Sequence, residues 1–262
     1  MKYNHKRSDE LELNKIYNED CLEGMKRIPD GSVDMILCDL PYGTTACKWD
    51  NIIPFEPLCE QYKRVIKDNG AIVLFGSEPF SSELRMSNID LYKYDWYWKK
   101  SKAQGFLNAK RMPLKDIETI SVFYKKLPTY NPQGTILVNK EVINPKGKRE
   151  KNRHMSGQNG GVFTEKKYIK THTNYPRQVL NFGIEGKPLH PTQKPVTLFE
   201  YLIKTYTNEG ETVLDNCIGS GTTAIACLNT NRNYIGFELD KGYFDIANDR
   251  IDKHKREIAK DN

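Results

Sequence analysis

Apolar and polar stretches alternate along the chain in a way that predicts strands and helices in turn. Short runs rich in β-branched and apolar residues are typical of strands buried in a parallel sheet. These predicted strands cover residues 32–38, 71–75, 92–98, 119–124, 212–215 and 233–238. Apolar residues at helical spacing predict helices over 55–67, 195–206, 222–228 and 243–259. Strands that alternate with helices indicate an α/β fold with a doubly wound, mostly parallel sheet.

The first predicted strand ends in a short turn that carries candidate chemistry. The turn reads Asp39-Leu40-Pro41-Tyr42 and follows the apolar run 32–38. Ligands of such sheets bind at the carboxyl ends of the strands. A carboxylate, a constrained backbone carbonyl and an aromatic ring would together suit the amino group of a planar base. The alternative is a turn without a function.

A glycine-rich turn follows a later strand. Asp215 ends the strand, Gly219 and Gly221 form the turn, and a helix begins next. Glycines at this point let backbone amides approach a ligand at the positive end of a helix. Glu238 ends the following strand, 19 residues after Gly219, and suits ribose hydroxyls. A tight turn without a ligand is the alternative.

The details of this turn separate two kinds of ligand. The third glycine of the dinucleotide fingerprint is missing, and the carboxylate of Asp215 would repel a pyrophosphate. The pattern therefore favours a cationic nucleoside over a dinucleotide, which argues against a dehydrogenase.

Composition limits the class of protein. The chain has 262 residues, 38% of them hydrophobic and 28% charged, which excludes a mostly disordered chain and a membrane bundle. The charged start of the chain is not followed by an apolar run, so a secretory signal is not expected. The six cysteines form no CxxC pair, and we expect buried, reduced thiols rather than a metal site or disulfides. A cytoplasmic location without membrane contact follows.

The positive charge is unevenly distributed. The formal net charge is +6, and the stretch from Asn131 to Asn174 carries seven Lys and two Arg against three Glu. A solvated loop is one interpretation, and a polyanion-binding insert is the other. The candidate residues for contacts with a polyanion in this stretch are Lys146, Lys148, Arg149, Lys151, Arg153, Lys166 and Lys167. The basic loop 99–113 either touches phosphates, covers a bound base, or is an ordinary surface loop.

Taken together, the motifs resemble those of the β-type amino-methylating DNA methyltransferases, which methylate the exocyclic amine of adenine or cytosine. Residues 39–42 resemble the Asp/Asn/Ser-Pro-Pro-Tyr motif of that family, and residues 215–223 resemble Asp-Pro-Phe-x-Gly-Ser-Gly-Thr-Thr. The stretch His-Pro-Thr-Gln-Lys-Pro at 190–195 matches the segment that precedes the cofactor turn. Two departures are Leu40 for the first proline and Asn216-Cys217 for Pro-Phe.

The resemblance implies a Rossmann-like methyltransferase that uses S-adenosylmethionine. It assigns catalysis to Asp39, Leu40, Pro41 and Tyr42, with the Asp39 carboxylate and the Leu40 carbonyl accepting from the target amine and Tyr42 stacking on a flipped base. Cofactor contacts are assigned to Asp39, Thr192, Lys194, Asp215, Gly219, Ser220, Gly221, Thr222 and Glu238. An aspartate at position 39 favours adenine, with methylation of cytosine or a catalytically inactive DNA-binding relative as alternatives.

The family's order of motifs also divides the chain. Residues 1–127 would form the catalytic half, 128–175 an inserted target-recognition region, and 176–262 the cofactor-binding half. The expected partner is DNA, with a cognate restriction endonuclease as a possible second partner. The sequence is compatible with a monomer or a homodimer.

Overall fold

The computed structural model describes residues 11–43, 50–144, 166–183 and 193–261. The strands are β1 Lys15–Tyr17, β2 Val33–Cys38, β3 Ile66–Gly76, β4 Tyr92–Gln104, β5 Lys115–Phe123, β6 Ile136–Asn144, β7 Lys166–Thr173, β8 Val179–Asn181, β9 Thr212–Asp215 and β10 Asn233–Phe237. The helices are α1 Cys21–Met25, α2 Phe55–Val65, α3 Phe80–Ser87, α4 Val196–Tyr206, α5 Thr222–Asn229 and α6 Lys241–Asp261.

The chain forms two compact units. The larger comprises Met1–Asn131 together with Arg177–Asn262, and the smaller comprises Pro132–Pro176. The roles that the sequence assigns to its three segments stay predictions.

The larger unit is built on an eight-stranded sheet in the order β1-β10-β9-β2-β3-β5-β4-β8. Neighbouring strands run parallel except at β5, which is antiparallel to both β3 and β4. Side chains of β2 alternate between two apolar clusters, Met35 and Leu37 in one and Ile36 and Cys38 in the other. Both faces of the central sheet are therefore buried, which is the predicted doubly wound arrangement.

Several predicted boundaries were wrong. Helix α2 ends at Val65 instead of residue 67, because Ile66 is already extended (φ −73°, ψ 136°). Strand β3 then begins at Ile66, five residues before the predicted start at residue 71, and its register with β2 shifts between Val33 and Met35. Helix α4 begins at Val196 with Pro195 at its N-cap, and α6 starts at Lys241.

Strands β4 and β5 are longer than predicted, and they pair with each other as a hairpin. Residues 99–104, expected in a loop, continue β4, and Gln104 pairs with Lys115 of β5. The extension has little apolar packing, and most of its residues are polar. It therefore lacks the apolar run by which a buried strand is predicted from sequence. The tryptophans Trp96 and Trp98 of β4 are buried, so their rings pack in the core and do not form an exposed stacking platform.

The smaller unit contains the antiparallel hairpin of β6 and β7, paired from Ile136–Thr173 to Asn144–Lys166. Lys166 and Lys167 lie on β7, and the side chain of Lys167 is exposed. The other five candidate DNA-binding residues, Lys146, Lys148, Arg149, Lys151 and Arg153, lie outside the described residues.

Within the described ranges, no helix has both the length and the apolar character needed to cross a membrane. The five described cysteines are free thiols, and four of them are buried.

Candidate active site

A cavity of about 620 Å³ opens at the carboxyl ends of β2, β9 and β10. Parallel strands bring these ends to one edge of the sheet, so segments distant in sequence meet there. The predicted site residues that line the cavity are Asp39, Pro41, Lys194, Asp215, Gly219, Ser220, Thr222 and Glu238. Leu40 is buried in the apolar core, and Thr192 lies outside the described residues.

The Asp39 carboxylate is held through both of its oxygens. The Tyr42 hydroxyl donates to Oδ1 at 2.6 Å, and Lys194 Nζ donates to Oδ2 at 2.6 Å. The side chain of Asp39 keeps 22% of its surface exposed, and Asp39 is one of the residues that line the cavity. The ring of Tyr42 packs against Phe80, with 5.0 Å between centroids.

Lys194 pairs with a second acid that the motifs do not contain. Its Nζ lies 3.1 Å from Oε2 of Glu118, and the other oxygen of Glu118 forms an ion pair with Lys100. Glu118 reaches this edge because β5 runs antiparallel, which places its beginning beside the end of β3, where Gly76 pairs with Thr119. The sequence assigned Lys194 to the cofactor, and the structure brings it to the catalytic turn.

Burial and neighbouring charges set the protonation of this cluster. Burial raises the pKa of Asp39, and Glu118 adds to the rise while Lys194 opposes it. Burial alone would lower the pKa of Lys194, but the two carboxylates outweigh it and raise that pKa. Lysine 194 is therefore held as an ammonium ion.

The glycine-rich turn is fixed by the two acids at the neighbouring strand ends. Asp215 accepts from the backbone amide of Cys217 at 3.1 Å and from the hydroxyl of Thr223. Glu238 accepts from the backbone amide of Gly219 at 2.9 Å. Burial raises the pKa of Asp215 to about 7 and also raises that of Glu238. Each acid thus shapes the turn and still faces the cavity.

Gly221 is required by both conformation and packing. It caps α5 with a φ of +82°, in the left-handed region that favours glycine. A Cβ built at this position would lie 3.3 Å from Cβ of Ala247 on α6. Arg250, also on α6, donates to the backbone oxygen of Ser220 at 3.0 Å and to the hydroxyl of Thr222 at 3.2 Å. Helix α6 therefore supports the back of the turn.

The departure of Asn216-Cys217 from the family motif is accommodated by hydrogen bonds. Asn216 is buried, and its Oδ1 accepts from the Tyr62 hydroxyl at 2.5 Å. Its Nδ2 lies 3.6 Å from Sγ of Cys21 and 3.5 Å from Sγ of Cys217. A polar residue in place of proline is thus satisfied internally.

Comparisons with known proteins identify the family. The family model described as DNA methylase, of the N6/N4 type, matches residues 33–249. The chain belongs to this DNA methylase family. The match spans both the catalytic and the glycine-rich turn, and it confirms the resemblance drawn from the motifs.

Individual relatives and solved structures are consistent with the assignment of the chain to this family. The chain is 29% identical over 273 residues to the Type II methyltransferase M.HinfI of Haemophilus influenzae, covering 91% of this chain and 68% of the relative. Among solved structures, M1.HpyAVI in complex with SAM is 28% identical, with a TM-score of 0.59, covering 90% of this chain and 98% of the other. The cytosine-N4-specific PvuII DNA methyltransferase is 16% identical with a TM-score of 0.64, covers 91% of this chain and 86% of the other, and shows the shared fold.

Proposed function

We propose that this DNA methylase transfers a methyl group from S-adenosylmethionine to the exocyclic amine of adenine in DNA. The observation that carries the proposal is one shared cavity. Asp39 lines the same cavity as Asp215, Glu238 and the glycine-rich turn. An acceptor for an amine and a site for a cationic nucleoside are thus adjacent, as methyl transfer between them requires.

The glycine-rich turn and the two acids that fix it fit S-adenosylmethionine. When bound, this cofactor supplies a methyl group on a positively charged sulfonium. Asp215 offers a carboxylate to its ammonium group, and Glu238 offers lone pairs to its ribose hydroxyls. The turn from Gly219 to Gly221 lets the backbone approach closely, and α5 begins immediately after it.

Asp39, at the end of β2, would act on the target amine. The lone pair of an aromatic amine is delocalised into the ring, which makes it a poor nucleophile. A carboxylate that accepts a hydrogen bond from the amine concentrates electron density on the nitrogen. The nitrogen would gain the methyl group supplied by the cofactor, the sulfur would leave as a neutral thioether, and the proton lost from the nitrogen would pass to solvent water. The Leu40 carbonyl is the second acceptor in this proposal.

A base within a duplex cannot reach this edge, so the target must be extruded. The loop between β4 and β5 leaves the sheet at the same edge, because β4 runs in the direction of β3. From Lys99 to Lys115 the chain carries six basic residues and no acidic one. Phe106 and Leu107 at its tip are exposed. We propose that this loop contacts the DNA beside the extruded base, with the basic insert as a second contact surface.

The product tests the proposal most directly. Genomic DNA from cells that express the protein should contain adenine methylated at the exocyclic amine, as measured by mass spectrometry of digested DNA. Mainly methylcytosine would overturn the adenine assignment and leave the amino-methyltransferase function intact. Absence of any methylated base, together with retained DNA binding, would indicate the catalytically inactive alternative. Sequencing that maps the modified bases then supplies the recognition sequence.

Action on genomic DNA would place the protein in the cytoplasm. The relatives named Type II methyltransferases support, as a further proposal, a cognate restriction endonuclease with the same recognition sequence.

A further inference from the structure

Glu118 belongs to none of the motifs and does not line the described cavity, yet it contacts the site through one residue. Lys194 Nζ lies between two carboxylates, 2.6 Å from Asp39 Oδ2 and 3.1 Å from Glu118 Oε2. The exposed fraction is 6% for the Lys194 side chain and 12% for that of Glu118. Lys100 forms an ion pair with the other oxygen of Glu118, so negative and positive groups alternate from Asp39 through Lys194 and Glu118 to Lys100.

Aromatic rings restrict the lysine further. Its Nζ lies 5.9 Å from the ring centroid of Tyr42 and 5.3 Å from that of Phe75. Without Glu118, Lys194 would keep Asp39 as its carboxylate partner but lose the contact that fixes Nζ from the other side. The second carboxylate therefore contributes to fixing the position of Nζ beside Asp39.

We infer that Glu118 is a positioning residue for methyl transfer, which acts through Lys194 to fix the orientation of the Asp39 carboxylate. The inference rests on the proposed role of Asp39 as the acceptor of the target amine. In the free protein, Asp39 accepts from Tyr42 and Lys194 at once, so its plane is defined before a base arrives. An acceptor oriented in advance contributes more to the reaction than one that must reorganise.

This role predicts a pH signature with a definite sign. Titratable groups around Asp39 are Lys194, Glu118, Tyr42, Cys38 and Asp215. The negative charge of Glu118 raises the pKa of Asp39, whereas the ammonium of Lys194 lowers it. Asp39 must be ionised to accept from the amine, so its pKa sets an acidic limb in the pH profile of the rate.

The experiment compares Glu118→Gln and Lys194→Gln with the wild type in single-turnover methylation from pH 5 to 9. The cofactor is saturating for every variant, so that the ionisation of Asp215 affects all measured rates equally. We expect Glu118→Gln to lower the plateau rate about tenfold, in line with a small loss of positioning. Its acidic limb should move to lower pH, and that of Lys194→Gln to higher pH.

Binding and control measurements separate this role from a general loss of structure. Glu118→Gln should bind S-adenosylmethionine within about threefold of the wild type, since no contact to the described cavity is lost. The matched control is Glu83→Gln, at an exposed acid on α3. This substitution should change neither the methylation rate nor the position of the acidic limb in the pH profile. If Glu118→Gln does not fold, Lys100→Gln serves instead, and it should move the limb upward because Glu118 loses its outer cation.

Asp39→Ala, which removes the side-chain acceptor, is assayed in parallel and separates the inference from the proposed function on which it rests. An inactive Asp39→Ala beside a Glu118→Gln variant with unchanged rate and limb would overturn the positioning role alone. A lower rate with an unmoved limb would also overturn it, because it would indicate a purely structural residue. An active Asp39→Ala would instead refute the proposed acceptor, and the inference with it.

Discussion

The positive charges at the catalytic edge and those on the hairpin of the smaller unit lie in opposite environments. Lys194 is buried between two carboxylates, whereas Lys140 and Lys167 lie exposed on β6 and β7. Charges buried together interact strongly and are little screened by salt, while exposed charges are screened within about 10 Å. The buried charges should control the rate of methyl transfer and its pH dependence. The exposed charges should control the affinity for a polyanion and the salt dependence of that affinity.

The largest expected effect is at the catalytic edge. Asp39→Ala should lower the methylation rate about 100-fold or more, because the acceptor for the target amine is lost. Its affinity for S-adenosylmethionine, measured by calorimetry, should stay close to that of the wild type. Asp90→Ala, at an exposed acid, is the control. An Asp39→Ala enzyme with more than about a tenth of the normal rate would contradict the assigned role.

The next effect concerns the insert. Neutralising Lys146, Lys148, Arg149, Lys151 and Arg153 together should flatten the slope of log affinity against log salt by roughly 2 to 4 units. Each phosphate contact contributes about −0.9 to that slope. Binding titrations of a DNA duplex at several salt concentrations give the slope.

Exposed cations on α6 provide the comparison for the insert. Neutralising Lys253, Lys255 and Arg256 should leave the slope unchanged. An equally unchanged slope in the five-fold insert variant would show that the basic run is a solvated loop. Cofactor binding should survive in both variants.

A smaller effect is expected from the ionisation of Asp215. Its pKa is raised to about 7 by burial, so the free protein is increasingly protonated there as the pH falls below that value. A cationic ligand binds the ionised form, and its affinity should therefore fall up to about tenfold per pH unit below pH 7. Calorimetry from pH 5 to 8 measures this dependence. Asp215→Asn should bind more weakly at pH 8 and lose the dependence, and a pH-independent wild type would argue against an ammonium contact at Asp215.

The smallest effect is expected at the loop between β4 and β5. Exchanging Lys110 and Arg111 for Gln should flatten the salt slope by about 1 to 2 units, since at most two phosphate contacts are lost. The same titrations test it, with the α6 variant as control. A slope identical to that of the wild type would place the DNA contacts elsewhere.

The sequence predicted the strands that carry the motifs because those strands are apolar on both faces. It thereby located Asp39, Asp215 and Glu238 at one edge, and the structure brings them to one cavity. It missed the extension of β4 to Gln104, since pairing with β5 does not require an apolar run.

Glu118 and Arg250 could not be found from the motifs. Asp39 and Lys194 lie 155 residues apart, and the contact of Lys194 with Glu118 depends on the reversed direction of β5. Arg250 sits on an amphipathic helix, where a charged residue ordinarily indicates a solvated face. The one available signal for Glu118 was an acid directly before the predicted strand 119–124.

The reversed strand β5 also affects how such an enzyme can diverge. Parallel strands reach the catalytic edge with the turns to which the cofactor contacts and the catalytic acid are assigned, so that one substitution there should alter several properties together. β5 reaches the edge with its first residues, and Glu118 lies outside the cavity lining. On the proposed mechanism, an exchange at this position would alter the electrostatic field at Asp39 and leave the residues that line the cavity unchanged. Working pH and substrate recognition would then be separately adjustable in redesign.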